Sequence, residues 1–173
     1  FRSHKAVYWL QNADSQLQKW NRYAEVREQI GRPVRPGEDR CLVINIHVAK
    51  TREKAMVKGK PGHDEFVNFL APYGRFSSYR NPDGSKVAFD HRPTVDESNE
   101  QKIQIVGSID DAVDAIGFWR DLLDLKHICF FFDYPGVSRE EMIEQMHLVT
   151  EEVFPRLGEK VERRPLPDLQ PLV

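Results

Sequence analysis

Residues 105–157 read IVGSIDDAVDAIGFWRDLLDLKHICFFFDYPGVSREEMIEQMHLVTEEVFPRL. Ser108 is followed three residues later by Asp111, and Ser138 by Glu141. In that spacing a hydroxyl caps the first turn of a helix and an acid answers to the cap's own backbone. A helix is therefore expected to start at each serine. Ala112, Ile116, Trp119 and Leu123 advance by four, three and four residues, as do Met142, Met146, Val149 and Val153. Each helix thus has one apolar stripe to lay on a sheet. Between them, residues 127–133 are too few and too aromatic for another helix and read as a buried strand. Helix, strand and helix in this order form a module of a parallel-sheet protein.

Working outward, Val7, Leu10, Leu17, Trp20, Ala24 and Ile30 recur near helical spacing and predict a helix over residues 3–30, with Gly31 and Pro33 as its stop. Residues 41–49 follow a loop as a second strand. Thr51 can cap a helix that Gly59 and Pro61 end, and a short helix is expected over residues 64–70. From residue 71 to 99 the pattern gives way to Pro, Gly, Ser and Asp, with Asn81-Pro82-Asp83-Gly84 a turn. Two strands, residues 41–49 and 127–133, are legible in this way.

The 105–157 module resembles the C-terminal end of the luciferase-like flavin-dependent monooxygenases. The residues that carry the likeness are Val106-Gly107-Ser108 opening the penultimate helix, a hydrophobic last strand ending in Phe132-Asp133-Tyr134-Pro135-Gly136, and a last helix closing with Glu151-Glu152-Val153-Phe154-Pro155-Arg156-Leu157. LVINIHVAKTREKA, residues 42–55, is similar to that family's seventh strand and the helix start after it, and residues 20–37 to the helix before it. The likeness leaves a gap from about residue 59 to 101. It implies an α/β chain forming the C-terminal portion of a (β/α)8 TIM-type barrel with a long irregular insertion. Complete barrels of that type need roughly 250 residues; this chain has 173. The expectation is one C-terminal part of a single barrel domain over residues 1–173, with 59–104 an insertion or lid.

The resemblance further implies reduced FMN as cofactor, supplied by a flavin reductase, dioxygen as co-substrate, a small organic substrate and a homodimer when full length. In such enzymes the cofactor carries the chemistry, and the protein holds the ring, excludes water and places the substrate. Phe132, Asp133 and Tyr134, at the end of the presumed last strand, and His47, near the same end of the presumed seventh, are the candidates for cofactor binding. Each also has a plain structural reading: a hydrogen-bonded strand histidine, a core phenylalanine, and a carboxylate that accepts N–H groups in the Tyr134-Pro135-Gly136 turn.

The irregular segment is long for a compact domain, where loops beyond about 12 to 15 residues are usually lids, binding loops or linkers. Its aromatic residues set it apart from solvated linkers. Tyr73, Arg75, Phe76, Tyr79 and Arg80 are the candidates for a lid that contacts substrate, since the guanidinium fork pairs with carboxylate or phosphate through two hydrogen bonds. The alternatives are a rim that covers the barrel or a neighbouring subunit, and solvated arginines.

Composition limits the other classes. With Lys+Arg 25 against Asp+Glu 27 and no basic run, the chain offers no field for nucleic acid. No apolar run approaches the roughly 18 residues of a membrane span. The histidines show no metal-ligand spacing, and no GxGxxG or Walker loop is present. Cys41 and Cys129 read as two reduced core thiols of a cytoplasmic protein. Two other functions stay open beside the FMN monooxygenase: a deazaflavin-dependent oxidoreductase of the same superfamily, and a non-enzymatic α/β module that binds a partner.

Overall fold

Serine caps start two helices as the sequence suggests, but the chain has more regular structure than it advertises. The computed structural model describes residues 6–159. In order these form β1 (Ala6–Trp9), α1 (Ala13–Gln29), β2 (Arg40–Ala49), α2 (Arg52–Leu70), a 3-10 turn (Ala71–Tyr73), α3 (Val95–Glu100), β3 (Gln104–Ser108), α4 (Ile109–Leu123), β4 (Ile128–Phe131), α5 (Arg139–Leu148), a π turn (Val149–Val153) and α6 (Phe154–Arg156). Ser108 and Ser138 each close the reciprocal capping box with Asp111 and Glu141. Thr51 accepts from the Lys54 N–H at the start of α2.

The four strands form one parallel sheet in which β2 is the partner of the other three. Leu42 faces Tyr8 of β1 and Ile128 of β4, so those two strands take opposite edges of β2. Asn45 likewise faces Gln104 of β3 and Phe131 of β4, so β3 continues the edge that β1 begins. The two strands foreseen from sequence are parallel neighbours.

Alternation along β2 sorts its side chains into two faces. Leu42, Ile44, Ile46 and Val48 join Trp20 of α1, the α4 stripe, Val149 and Val153 in the main core. Trp119 at the centre of that stripe is fully buried and donates its Nε1–H to the Lys102 carbonyl at 2.6 Å. The other face, with Asn45 and His47, is covered by α2. That approach is close: a methyl at Gly59 would lie 2.5 Å from Val106 Cγ1 and 2.8 Å from His47 Cδ2, and one at Gly62 would lie 2.7 Å from the Pro135 carbonyl oxygen.

Several expectations are corrected. β1 occupies the start of the segment read as one helix from residue 3; four residues of apolar pattern do not distinguish a strand from a helical turn, and the positive φ of Leu10 then breaks the chain before Asn12 caps α1. Residues 3–5 of that predicted helix lie outside the described residues, as does His4. Val106-Gly107-Ser108 belongs to β3, with Ser108 also serving as the cap of α4. The described residues thus hold four strands where two were legible. Helix α2 runs through Gly59 and Pro61, merging the two helices expected there. A proline inside a helix costs about 3 kcal/mol; burial of Ala55, Gly59, Gly62, His63 and Val67 against the sheet offsets it.

In α5 the buried residue is Gln145, and Met146 is exposed. The Gln145 Oε1 accepts the Val48 N–H at 3.1 Å, so the stripe is set by a strand-end amide rather than by methionine. Nor are the thiols core residues: Cys41 is half-buried and Cys129 exposed, and neither is in a disulfide. Alternation in β4 sends Ile128 and Phe130 to the core and leaves Cys129 and Phe131 on the other face.

Candidate functional site

A polar residue in the middle of a buried strand has to be explained, and β2 carries two on one face, Asn45 and His47, both buried. Asn45 stands in a row across three strands, between Phe131 of β4 and Gln104 of β3. Trp9, the last residue of β1, donates its Nε1–H to Asn45 Oδ1 at 2.6 Å. An indole nitrogen only donates, so the orientation of the Asn45 amide is fixed by this bond. Its Nδ2 hydrogens then have no acceptor among the described residues. The Trp9 ring meets Phe131 edge-on at 5.6 Å and Phe66 of α2 at 5.8 Å between centroids. Phe131 is 40% exposed, so this aromatic corner is open on one side.

Further along the same face, the His47 ring lies against Gly59, and its Nδ1 has no hydrogen-bond partner. Burial pushes its pKa down, and the nearby Glu141 carboxylate works against that. Beside it a cleft of about 310 Å³ opens at the C-terminal end of β2, lined by Lys50, Lys54, Lys58, Glu141 and Glu144.

Between α2, α3 and β3 lies a buried polar network. Tyr134 donates to Gln104 Oε1 at 2.7 Å. The hydroxyls of Tyr79 and Ser98 are 2.8 Å apart, and Ser98 meets His63 Nε2 at 2.9 Å. Burial raises the pKa of both tyrosines and lowers that of fully buried His63, although the Asp64 carboxylate pulls His63 the other way. These groups are held neutral. The Gln104 amide comes near enough to Tyr79 to favour its ionised form slightly, yet Gln104 Nε2 completes no hydrogen bond.

The candidate residues from sequence fall into separate environments. His47 is on the polar face of β2 just described. Tyr134 is fully buried in the network, Asp133 is exposed, and Phe132 packs on the opposite, core side against Phe130. Within the 59–104 segment, Phe76 and Tyr79 are completely buried, and Tyr73 is exposed beside Phe69. Arg80 spends its guanidinium on the Ser78 and Tyr79 carbonyls at 3.0 and 2.8 Å. Arg75 instead stands over the Trp9 ring, 5.9 Å from its centroid. So the structure brings Arg75 to Trp9 and Tyr79 to Tyr134's network, and it keeps His47 apart from Phe132.

Trp9, Asn45, His63, Ser98, Gln104 and Phe131 were not singled out by sequence. Asn45 carried a usable signal, a polar residue two positions from His47 and hence on its face; Trp9 was hidden by the helical reading of its segment. Among the described residues, no three His, Cys, Asp or Glu side chains gather as metal ligands. No described helix is long and apolar enough to cross a membrane.

No family model and no curated protein matches the chain. Among solved structures, its fold is similar to a Type II Baeyer-Villiger monooxygenase, the oxygenating constituent of 3,6-diketocamphane monooxygenase from the CAM plasmid of Pseudomonas putida, in complex with FMN. The TM-score is 0.68 at 16% identity, over 92% of this chain and 44% of that one. At that identity the likeness is one of fold. The chain spans less than half the length of the monooxygenase.

Proposed function

We propose that the chain is the C-terminal part of a luciferase-like flavin-dependent oxidoreductase, a monooxygenase that uses reduced FMN and dioxygen on a small organic substrate, takes its flavin from a reductase and works as a homodimer. The observation that carries this reading is the fold likeness to an FMN-bound monooxygenase over 92% of the chain. It agrees with the resemblance read from residues 42–55, 106–108, 132–136 and 151–157.

The residues present suit such a cofactor. Flavin, when bound, supplies the activation of dioxygen. A flat heteroaromatic ring with carbonyl acceptors needs apolar walls and a few fixed donors, and the open corner of Trp9 and Phe131 beside the uncommitted Asn45 Nδ2 offers both. Asn45 donates, Trp9 and Phe131 exclude water, and burial holds the hydroxyls and imidazole of the neighbouring network neutral. His47, whose Nδ1 is unpaired, lies two residues further along the same face of β2, beside the separate cleft at the strand's C-terminal end. The remaining wall and the phosphate site belong to the rest of the enzyme.

The test is oxygen consumption by the full-length protein with FMN, a flavin reductase and a nicotinamide donor. Flavin-dependent uptake that exceeds the reductase alone and couples to an oxygenated product is expected. Uptake equal to that of the reductase alone, across a panel of ketone, aldehyde and aromatic substrates, would refute the reading.

A further inference from the structure

Two buried polar side chains without a full set of partners line one cleft. His47 and Gln145 are 5% and 3% exposed, and both border the opening of about 310 Å³ at the C-terminal end of β2. The Val48 N–H takes Gln145 Oε1, which fixes the amide and leaves both Nε2 hydrogens unused. His47 Nδ1 has no partner either. Buried polar atoms are as a rule hydrogen-bonded, so two orphans in one cleft point to a ligand.

Topology puts the cleft where a ligand can enter. Helix α2 covers the Asn45 and His47 face of β2, whereas α5 ends on the main core through Leu148. From β2 the chain runs to β3 on one side, and from β3 it returns to β4 on the other. The helices of the two faces part at the carboxyl end of β2, the position at which open parallel sheets take ligands. Lys50 follows the strand, and Lys54 and Lys58 continue along one side of α2 at four-residue steps. All three are exposed and form a rim above the buried His47 and Gln145. Glu141 of α5 lies 3.9 Å from Lys58 and balances it. Glu144 is then the one carboxylate of the cleft set against Lys50 and Lys54, so positive charge is in excess. A phosphate monoester, with roughly two negative charges and three acceptor oxygens, matches a rim of ammonium groups over a floor of neutral donors better than a carboxylate does.

We propose that this cleft binds the phosphate group of a small phosphate monoester, with Gln145 Nε2 and the His47 imidazole donating from the floor and Lys50 and Lys54 pairing from the rim. The site is separate from the Trp9, Asn45 and Phe131 corner and does not depend on the flavin reading.

The experiment is calorimetric titration of phenyl phosphate into the full-length protein, with benzoate as the carboxylate control. Saturable binding of phenyl phosphate, one per chain and at least about tenfold tighter than benzoate, is expected. Lys54→Gln should weaken it about tenfold at an unchanged thermal midpoint, because the Lys54 side chain is exposed. Gln145→Glu keeps an acceptor for the Val48 N–H but replaces the unused amide hydrogens with an anionic oxygen, and should weaken phenyl phosphate about a hundredfold. Lys60→Gln removes a charge from the same helix outside the cleft, where Lys60 pairs with Asp64, and should leave the affinity unchanged. No saturable binding, equal affinity for benzoate, or a loss in Lys60→Gln as large as that in Lys54→Gln overturns the proposal. Competition separates the cleft from the flavin site: FMN and riboflavin should both leave phenyl phosphate bound. Displacement by FMN and not by riboflavin would make the cleft the anchor of the flavin's own phosphate and overturn a separate site.

Discussion

Buried polar side chains fix the details of this fold one residue at a time. His47 and His63 are both held below the ordinary histidine pKa, chiefly by burial. In the unfolded chain they titrate near 6.5, so below that pH the unfolded state binds protons that the folded state refuses. Stability should therefore be fully present above about pH 6.5 and fall as the pH drops toward 5. Urea midpoints at pH 7.5 and 5.0 check this, and His63→Gln should flatten the dependence. A midpoint that rises on acidification contradicts it. Gln145 makes a second case: replacing it with Met leaves the Val48 N–H buried and unpaired, at a cost of about 1 to 3 kcal/mol. A thermal melt unchanged by Gln145→Met would show that the bond does not matter. Sequence hid His63 and Gln145, because a buried histidine or glutamine on a helix looks the same as a solvated one until the partner that satisfies it is known.

At the scale of elements, signals that act within a few residues were legible. Ser108 with Asp111 and Ser138 with Glu141 located two helix starts, and residues 41–49, after the loop over residues 33–40, read as the central strand. Elements that depend on distant contacts were not. The four residues of β1 exist as a strand because Arg40 to Val43 pair with them, and α2 passes Pro61 while Gly59 lies against the sheet and Gly62 against the Tyr134-Pro135 turn. Gly59→Ala should push α2 off Val106 and His47 and cost about 1 to 3 kcal/mol, while the helix propensity of alanine alone would predict a gain. On the opposite face, Trp119→Ala removes the largest side chain of the α4 stripe and a 2.6 Å hydrogen bond; a loss of about 3 to 5 kcal/mol is expected. Chemical denaturation of the two variants separates the faces. A neutral result at Trp119 would contradict the packing of α4 on β2 and β3.

For the molecule as a whole, the parallel α/β class was readable, because it depends on short hydrophobic runs in a fixed order. The site was readable only in part. Arg75 stood out by composition, but its partner Trp9 lies 66 positions earlier and meets it through the sheet, and Phe76 and Tyr79 of the same aromatic run turn inward to form a core instead. What joins these parts is the claim that the Trp9, Asn45 and Phe131 face is one wall of a flavin enzyme. Anaerobic titration of reduced FMN into the full-length protein tests that claim most directly, with Phe131→Ala beside the wild type, since a half-exposed side chain can be truncated at little cost to folding. The account predicts saturable binding by the wild type and about tenfold weaker binding by Phe131→Ala at an unchanged thermal midpoint. Absence of FMN binding by the full-length protein, or equal binding by both, would contradict it.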